Sequence, residues 1–360
     1  MARIDAFFKL MHEQKASDLH LVAGQQPVLR VRGEMERVKY KVLENDELKG
    51  MLYEITPEEK IKIFEETGDM DFAYEIPGLA RYRANYFQQK NGIGAVFREI
   101  PSEILTVEQL QLPPVVAKLA MLPRGLVLLT GPTGSGKSTT LAAIIDEANR
   151  KRKDHIITIE DPLEFVHESK NCIINHREVF THTKSFAAAL RGALREDPDI
   201  ILVGELRDLE TIALAIEAAA TGHLVLATLH TTSAAKTVDR IIEVFPANEQ
   251  GQIRSMLADG IRGVVSQTLF KRIDIPGRIC CAEILIATHA VRALVRENKT
   301  YQIPTAIQTG KKYGMQTLDD AIMAHLKAHR ISAEEAYLKC EDKEKFRPFL
   351  RTPPADFTEV

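Results

Sequence analysis

The stretch GPTGSGKST at 131–139 constrains this chain more than any other. It fills the pattern G-x-x-x-x-G-K-[ST] completely, and that loop works only between a strand and the start of a helix. Both neighbours are present, since the apolar run at 126–130 reads as a strand and STTLAAIIDEANR as a helix. Gly131, Gly134 and Gly136 permit turns that aim backbone N–H groups inward, making a nest for phosphate oxygens. Pro132, Thr133, Ser135 and Thr139 complete the cradle. The helix start adds partial positive charge. Lys137 is placed to reach the β- and γ-phosphates of ATP, and Ser138 to offer its hydroxyl to Mg²⁺.

Around this loop the pattern is α/β. From 124 the apolar strands RGLVLLTG, HIITIED, DIILVGEL and HLVLATLH alternate with helical segments, which predicts a parallel sheet with covering helices. Beyond about 285 the chain reads as mostly helical, through HAVRALVRENK, LDDAIMAHLKAHR and SAEEAYLKC. A loose tail with Pro353 and Pro354 ends it. Residues 1–100 read as a small α+β domain. Alternating strands at 19–38, helical spacing at 44–68 and two strands around Asn91-Gly92 carry that reading. The expected division is 1–100, a linker at 101–123, an ATPase core at 124–290 and a helical part at 291–360. The linker holds Pro101, Pro113, Pro114 and Pro123, with a short helix at 115–121.

Composition limits the function classes. A formal charge of −3, from 47 basic and 50 acidic residues, gives no overall pull toward nucleic acid. The cysteines at 172, 280, 281 and 340 form no CxxC pair, which fits a reduced, cytoplasmic setting. The start, MARIDAFFKLMHEQK, reads as an amphipathic helix without a signal-peptide core. The long apolar stretch at 211–229 contains Glu217 and His223 and is too polar to span a bilayer. Membrane contact is therefore expected only through a partner.

DPDIILVGELRD at 197–208 has the form of a metal-binding strand closing on an acid, with Glu205 where Asp is usual. Ligands sit at the carboxyl ends of parallel strands. Asp199 begins the strand and stands roughly 20 Å from its end at about 3.3 Å per residue. Asp208 lies beyond and reads as a helix N-cap. Glu205 is left as the metal-side acid, and its length suits holding Mg²⁺ through a water. A second cluster, Glu160, Asp161 and Glu164 in IITIEDPLEF, ends another strand. Glu164 leads as the group that orients the attacking water and Glu160 follows; a lone acid there would be an ordinary cap. The last strand delivers His223 at its start and His230 at its end, so His230 falls near the phosphates, where it is expected either to sense the γ-phosphate or to act as a hydrogen-bonding relay to the acids.

Together these boxes, GPTGSGKST, IITIEDPLEF, IILVGELRD and GHLVLATLHTTSA, resemble the secretion ATPase superfamily in residues, order and spacing. ASDLHL, RYRANYF and AVRALVRENKTYQIPTAIQTG extend the resemblance over nearly the whole chain, which is most similar to the PilT-type pilus retraction ATPases. The resemblance implies a homo-hexameric ring of RecA-like domains, each preceded by a PAS-like domain. It also implies ATP between the two domains and a membrane-embedded pilus platform as partner. Glu205 and Glu164 would fall on the family's acidic positions. Val291, Arg292 and Glu297 match its retraction-linked element only loosely. Arg81 and Arg83 share one strand face, and with Arg98 they are candidate arginine fingers in such a ring.

Assembly-type relatives carry a tetracysteine zinc motif and a longer N-terminal region; neither is seen here, which favours retraction and twitching motility. The alternatives are an accessory retraction paralogue, an assembly or type II secretion ATPase, a nucleic-acid translocase or a non-hydrolysing regulatory module. A translocase would want a basic, aromatic pore surface, and aromatic content is only 6%.

Overall fold

Phe7, Phe8 and Met11 recur along one side of the first helix, and that side is buried. The computed structural model describes residues 2–31, 33–100 and 103–352. Pro101 and the tail from Pro353 lie outside the described residues. The chain divides into two units, residues 1–103 with 162–166, and residues 104–161 with 167–360.

The first unit opens with α1 (Asp5–Glu13), followed by β1 (Asp18–Val22), β2 (Val28–Val31) and β3 (Glu34–Arg37). Helices α2 (Asn45–Tyr53) and α3 (Glu58–Thr67) follow, then β4 (Asp69–Ile76), β5 (Ala80–Gln89) and β6 (Gly92–Ile100). The strands form one antiparallel sheet in the order β3-β2-β1-β6-β5-β4. Strand alternation sends Tyr82 and Tyr86 into the core, where the Phe8 ring meets Tyr82 at 4.4 Å and Phe97 at 4.9 Å. Arg81 and Arg83 therefore fall on the opposite face, and Arg98 stands directly across from Arg83.

The second unit contains α4 (Pro114–Leu119), β7 (Gly125–Thr130), α5 (Lys137–Lys151), β8 (His155–Glu160), β9 (Ile173–Glu178), α6 (Phe186–Ala193) and β10 (Ile200–Val203). It continues with α7 (Leu209–Thr221), β11 (Leu224–Leu229), α8 (Ala234–Glu243), α9 (Gln250–Gly260), β12 (Ile261–Lys271) and β13 (Arg278–Ile286). The helices α10 (His289–Arg296), α11 (Ile303–Thr309), α12 (Leu318–Lys327), α13 (Ala333–Lys339) and α14 (Lys343–Phe346) complete it. The sheet order is β13-β12-β7-β11-β10-β8-β9. Every residue of β7 is buried, as expected of a central strand covered on both faces. Leu126 and Leu128 enter one core with α6 to α9, while Val127 and Leu129 enter the other with α5. Each such buried aliphatic side chain contributes about 1.5–3 kcal/mol.

Three features depart from the sequence reading. The sheet is mixed, because β13 runs antiparallel to β12. Neither of those strands nor β9 stands out in the sequence, since their apolar runs are mixed with Arg, Gln, Lys and Cys. Residues 104–123 are not a free linker. Val107, Leu112, Val116 and Leu119 are buried in the α5-side core, and Arg152 donates to the carbonyls of Ala120 and Leu122 at 3.0 and 2.7 Å. Finally, residues 162–166, read as part of the ATPase core, group with the first unit.

Candidate active site

The parallel strands bring their carboxyl ends to one edge. Thr130 pairs with Leu229 of β11, and Val203 pairs with Ala227. Gly131, Glu205 and His230 therefore leave the sheet at nearly one level.

Gly131 has φ +140, and a Cβ there would stand 2.4 Å from the Gln267 carbonyl oxygen. Only glycine fits between β7 and β12 at this point. The loop then exposes Pro132, Thr133 and Gly134 and turns at Gly136, which begins α5 in the left-handed region without a side-chain cap. A helix start without a side-chain cap presents first-turn amides to whatever lies before it. The buried Ser135 Oγ has no hydrogen-bond partner among the described residues. Lys137 is buried, and its Nζ donates to the carbonyls of Gly131 at 2.8 Å and Pro132 at 3.2 Å. Ser138 and Thr139 are half-buried on the first turn. An orphaned hydroxyl, an uncapped helix start and a lysine folded over the loop suit a phosphate group.

Glu205 lies two residues past β10. Gly204 N–H donates to Ile159 O at 2.8 Å and Leu206 N–H to Thr228 O at 3.0 Å, so its turn is tied to β8 and β11. One carboxylate oxygen lies 2.7 Å from Arg207 Nη2 and the other 3.1 Å from His230 Nε2. Burial alone would raise this carboxyl, but Arg207 and His230 outweigh it and hold it below the ordinary value. Asp161 also acts on Arg207 through its charge. A pocket of about 400 Å³ opens beside this pair, with Arg207, Leu229, Thr231 and Arg240 among its lining residues.

Asp199, Asp208 and His223 have structural work. Asp199 accepts the His155 N–H at 2.9 Å at the far end of the sheet. Asp208 caps α7, accepting from Thr211 N at 2.8 Å and Thr211 Oγ1 at 2.7 Å. The His223 ring lies 3.0 Å from Ala218 O. Glu160 closes β8 in the second unit, whereas Glu164 belongs to the first, as do Arg81, Arg83 and Arg98. In that unit Arg98 donates to Asp18 at 2.8 Å, with Arg30 3.6 Å from the same carboxylate. Arg83 stands 3.7 Å from Asp71 and Arg81 3.6 Å from Glu75.

Sequence reasoning missed Arg207 and Gln267. Arg207 was visible two residues after Glu205 as a charge able to fold back on it. Gln267, whose Nε2 donates to Thr140 Oγ1 at 2.8 Å, gave no signal because β12 itself went unread.

A mostly parallel sheet whose strand ends carry a phosphate loop, a paired carboxylate and a histidine defines a P-loop nucleotide-binding protein. The chain belongs to the type II/IV secretion system protein family, whose model matches residues 2–337. It is 54% identical over 334 residues to the type IV pilus retractation ATPase PilT of Pseudomonas aeruginosa, covering 93% of this chain and 97% of that one. It is 51% identical to a twitching motility protein of Neisseria gonorrhoeae, covering 90% of this chain and 86% of the relative. The crystal structure of the pilus retraction motor PilT with bound ADP superimposes with a TM-score of 0.88 at 42% identity, covering 96% and 98% of the two chains. Among the described residues no helix is long and apolar enough to cross a membrane.

Proposed function

We propose that this chain is an Mg-ATP-hydrolysing motor that retracts type IV pili and so powers twitching motility. It works as a homo-hexamer in the cytoplasm and reaches the inner membrane through a pilus platform protein. The observation that carries the reading is the convergence of the phosphate loop with the Glu205–His230 pair, on a chain similar to retraction ATPases over nearly its whole length.

Lys137 exchanges the Gly131 and Pro132 carbonyls for the β- and γ-phosphates of ATP. The Ser138 hydroxyl and the Glu205 carboxylate are oxygen donors of the kind Mg²⁺ takes, Glu205 through a water. When bound there, Mg²⁺ would supply charge neutralisation for the phosphates. Glu164, or Glu160 in its place, orients and deprotonates the attacking water. Arg81, Arg83 and Arg98 serve the γ-phosphate as arginine fingers, their present carboxylate partners being replaceable by phosphate oxygens. Hydrolysis then changes the relation of the two units, a hinge movement that drives the ring.

The test pairs an enzyme assay with a cell. Purified chain should hydrolyse ATP, and Lys137→Ala should abolish nucleotide binding or turnover. Deleting the gene should leave cells with pili that no longer retract. Normal retraction in the deletion strain would sink the motor role, and turnover stimulated by DNA would point to a translocase.

A further inference from the structure

Glu283 is an acid in the middle of the apolar strand ICCAEILI and is only 6% exposed. A buried carboxylate is expensive unless something satisfies it. Its Oε1 accepts the Ala234 N–H at 2.7 Å. Ala234 is the first residue of α8, and that helix already has a local cap, because Ser233 Oγ accepts from Lys236 N. The bond from β13 is therefore not needed to start the helix. It fastens the helix start to the sheet.

The position of Glu283 in the sheet gives that fastening a purpose. Glu283 pairs with Ser266 of β12, Ser266 with Thr130 of β7, and Thr130 with Leu229 of β11. One row thus crosses four strands, and the Thr130 and Ser266 hydroxyls bond along it at 2.7 Å. The residues that follow Thr130 and Leu229 in the chain are Gly131 of the phosphate loop and His230. The turn between His230 and Ala234 is also tied to the first turn of α8, since Thr231 Oγ1 lies 2.7 Å from Thr237 Oγ1. The turn is held at one end by β11 and at the other by Glu283.

We infer that Glu283 is a positioning residue for ATP turnover: by accepting from Ala234 it fixes the 230–233 turn and keeps His230 against Glu205. The inference deepens the ATPase reading above and rests on it. Burial pushes the Glu283 carboxyl up, to about 7, against the pull of the Ala234 N–H and with Glu341 adding to the rise. Neither protonation state loses the bond, because a neutral carboxyl keeps an acceptor oxygen.

The test uses the full chain and compares Glu283→Gln, which keeps an acceptor oxygen, with Glu283→Leu, which does not. Glu283→Gln should retain kcat within about threefold, the effect of a weakened rather than a lost hydrogen bond. Glu283→Leu should lose roughly a hundredfold in kcat, the scale of a small misplacement at the chemistry. Its Kd for ADP should stay within about twofold, because the phosphate loop is untouched. Amide exchange at 234–236 should accelerate in Glu283→Leu and not in Glu283→Gln. If Glu283→Leu fails to fold, Ala234→Pro removes the donor instead. Proline suits the first helical position, and Ser233 before it is already extended. That variant should show the same split between kcat and Kd. Wild-type kcat in Glu283→Leu or Ala234→Pro overturns the inference. So does ADP affinity falling in step with kcat, or Glu283→Gln falling as far as Glu283→Leu. Wild-type chain without any turnover would sink the ATPase reading instead, and the exchange pattern would still decide the anchor.

Discussion

His230 Nε2 lies 3.1 Å from one oxygen of Glu205, and Arg207 Nη2 lies 2.7 Å from the other. Both partners favour the charged carboxylate and hold it below the ordinary value against the effect of burial. Asp208, three residues on, is spent on capping α7. Replacing these neighbours should therefore separate chemistry from stability. Glu205→Ala should leave ADP and ATP bound while stopping hydrolysis. Asp208→Ala should cost about 1 kcal/mol of stability, the usual worth of such a cap, with kcat little changed. Nucleotide titration, turnover and urea unfolding of the two variants check this. A catalytic loss in Asp208→Ala as deep as in Glu205→Ala would mean that the roles are misassigned.

Of the acids after β8, Glu160 ends the strand while Glu164 belongs to the segment that groups with the first unit. The base proposed above is Glu164, with Glu160 as the alternative. Glu164→Ala should keep ATP bound and lose turnover, and Glu160→Ala should lose less. Single-turnover measurements under saturating ATP check the order. Wild-type kcat in Glu164→Ala passes the role to Glu160.

Much of the second unit was legible because its chemistry is local in sequence. A phosphate loop needs its glycines, lysine and hydroxyl within nine consecutive positions, 131–139, and parallel strands announce themselves as short apolar runs. Setting aside Asp199 and Asp208 rested on strand length and capping, which are also local, and the structure has Asp199 at the far end of the sheet and Asp208 as the cap of α7. What failed was non-local. β12 and β13 carry Arg262, Gln267, Lys271 and Cys280 among their apolar residues, so their pairing shows only once they lie in the sheet. Residues 104–123 looked like a linker because their prolines are conspicuous, yet Val107, Val116 and Leu119 find a core that no window of sequence reveals. Arg207 needed the fold-back of a turn, and Glu283 a partner 49 residues away.

His167 gives the second unit an acid-sensitive point. It is 5% exposed, its Nδ1 has no partner among the described residues, and its ring stacks on His176 at 6.0 Å. Burial lowers its pKa to about 4, the charges of His176 and Lys170 add to this, and Asp146 opposes it. The unfolded chain takes up a proton near the ordinary value of 6.5, and the folded chain does not until about 4. Stability is therefore unaffected above 6.5, declines as pH falls below it, and stops declining near 4. The total is on the order of 3 kcal/mol. His167→Phe should remove this slope, so the difference between variant and wild type in urea unfolding should grow in the variant's favour from pH 7 to pH 5. Parallel curves across that range would show that His167 takes its proton in the folded state as readily as in the unfolded one.

Gly131 and Gly134 both have positive φ in the phosphate loop, but alanine should act differently at each. At Gly134, φ +77, a Cβ meets nothing within 4 Å, so Gly134→Ala carries only backbone strain, about 1–2 kcal/mol. At Gly131, φ +140, the Cβ meets the Gln267 carbonyl at 2.4 Å and Ser135 Oγ at 2.6 Å. Ser135 is a side chain that can rotate, whereas the Gln267 backbone cannot yield easily. It lies within β12 beside β7, and its own side chain is tied to Thr140. The clash must then be relieved by the loop itself, which moves Lys137 and the first-turn amides together. Gly131→Ala should weaken ADP binding by roughly a hundredfold or more, the cost of losing several charge-assisted hydrogen bonds, whereas Gly134→Ala should weaken it far less. Titration with a fluorescent ADP analogue measures both. Equal losses in the two variants would mean that φ alone, and not the closeness of β12, decides which residue the first position of the loop tolerates.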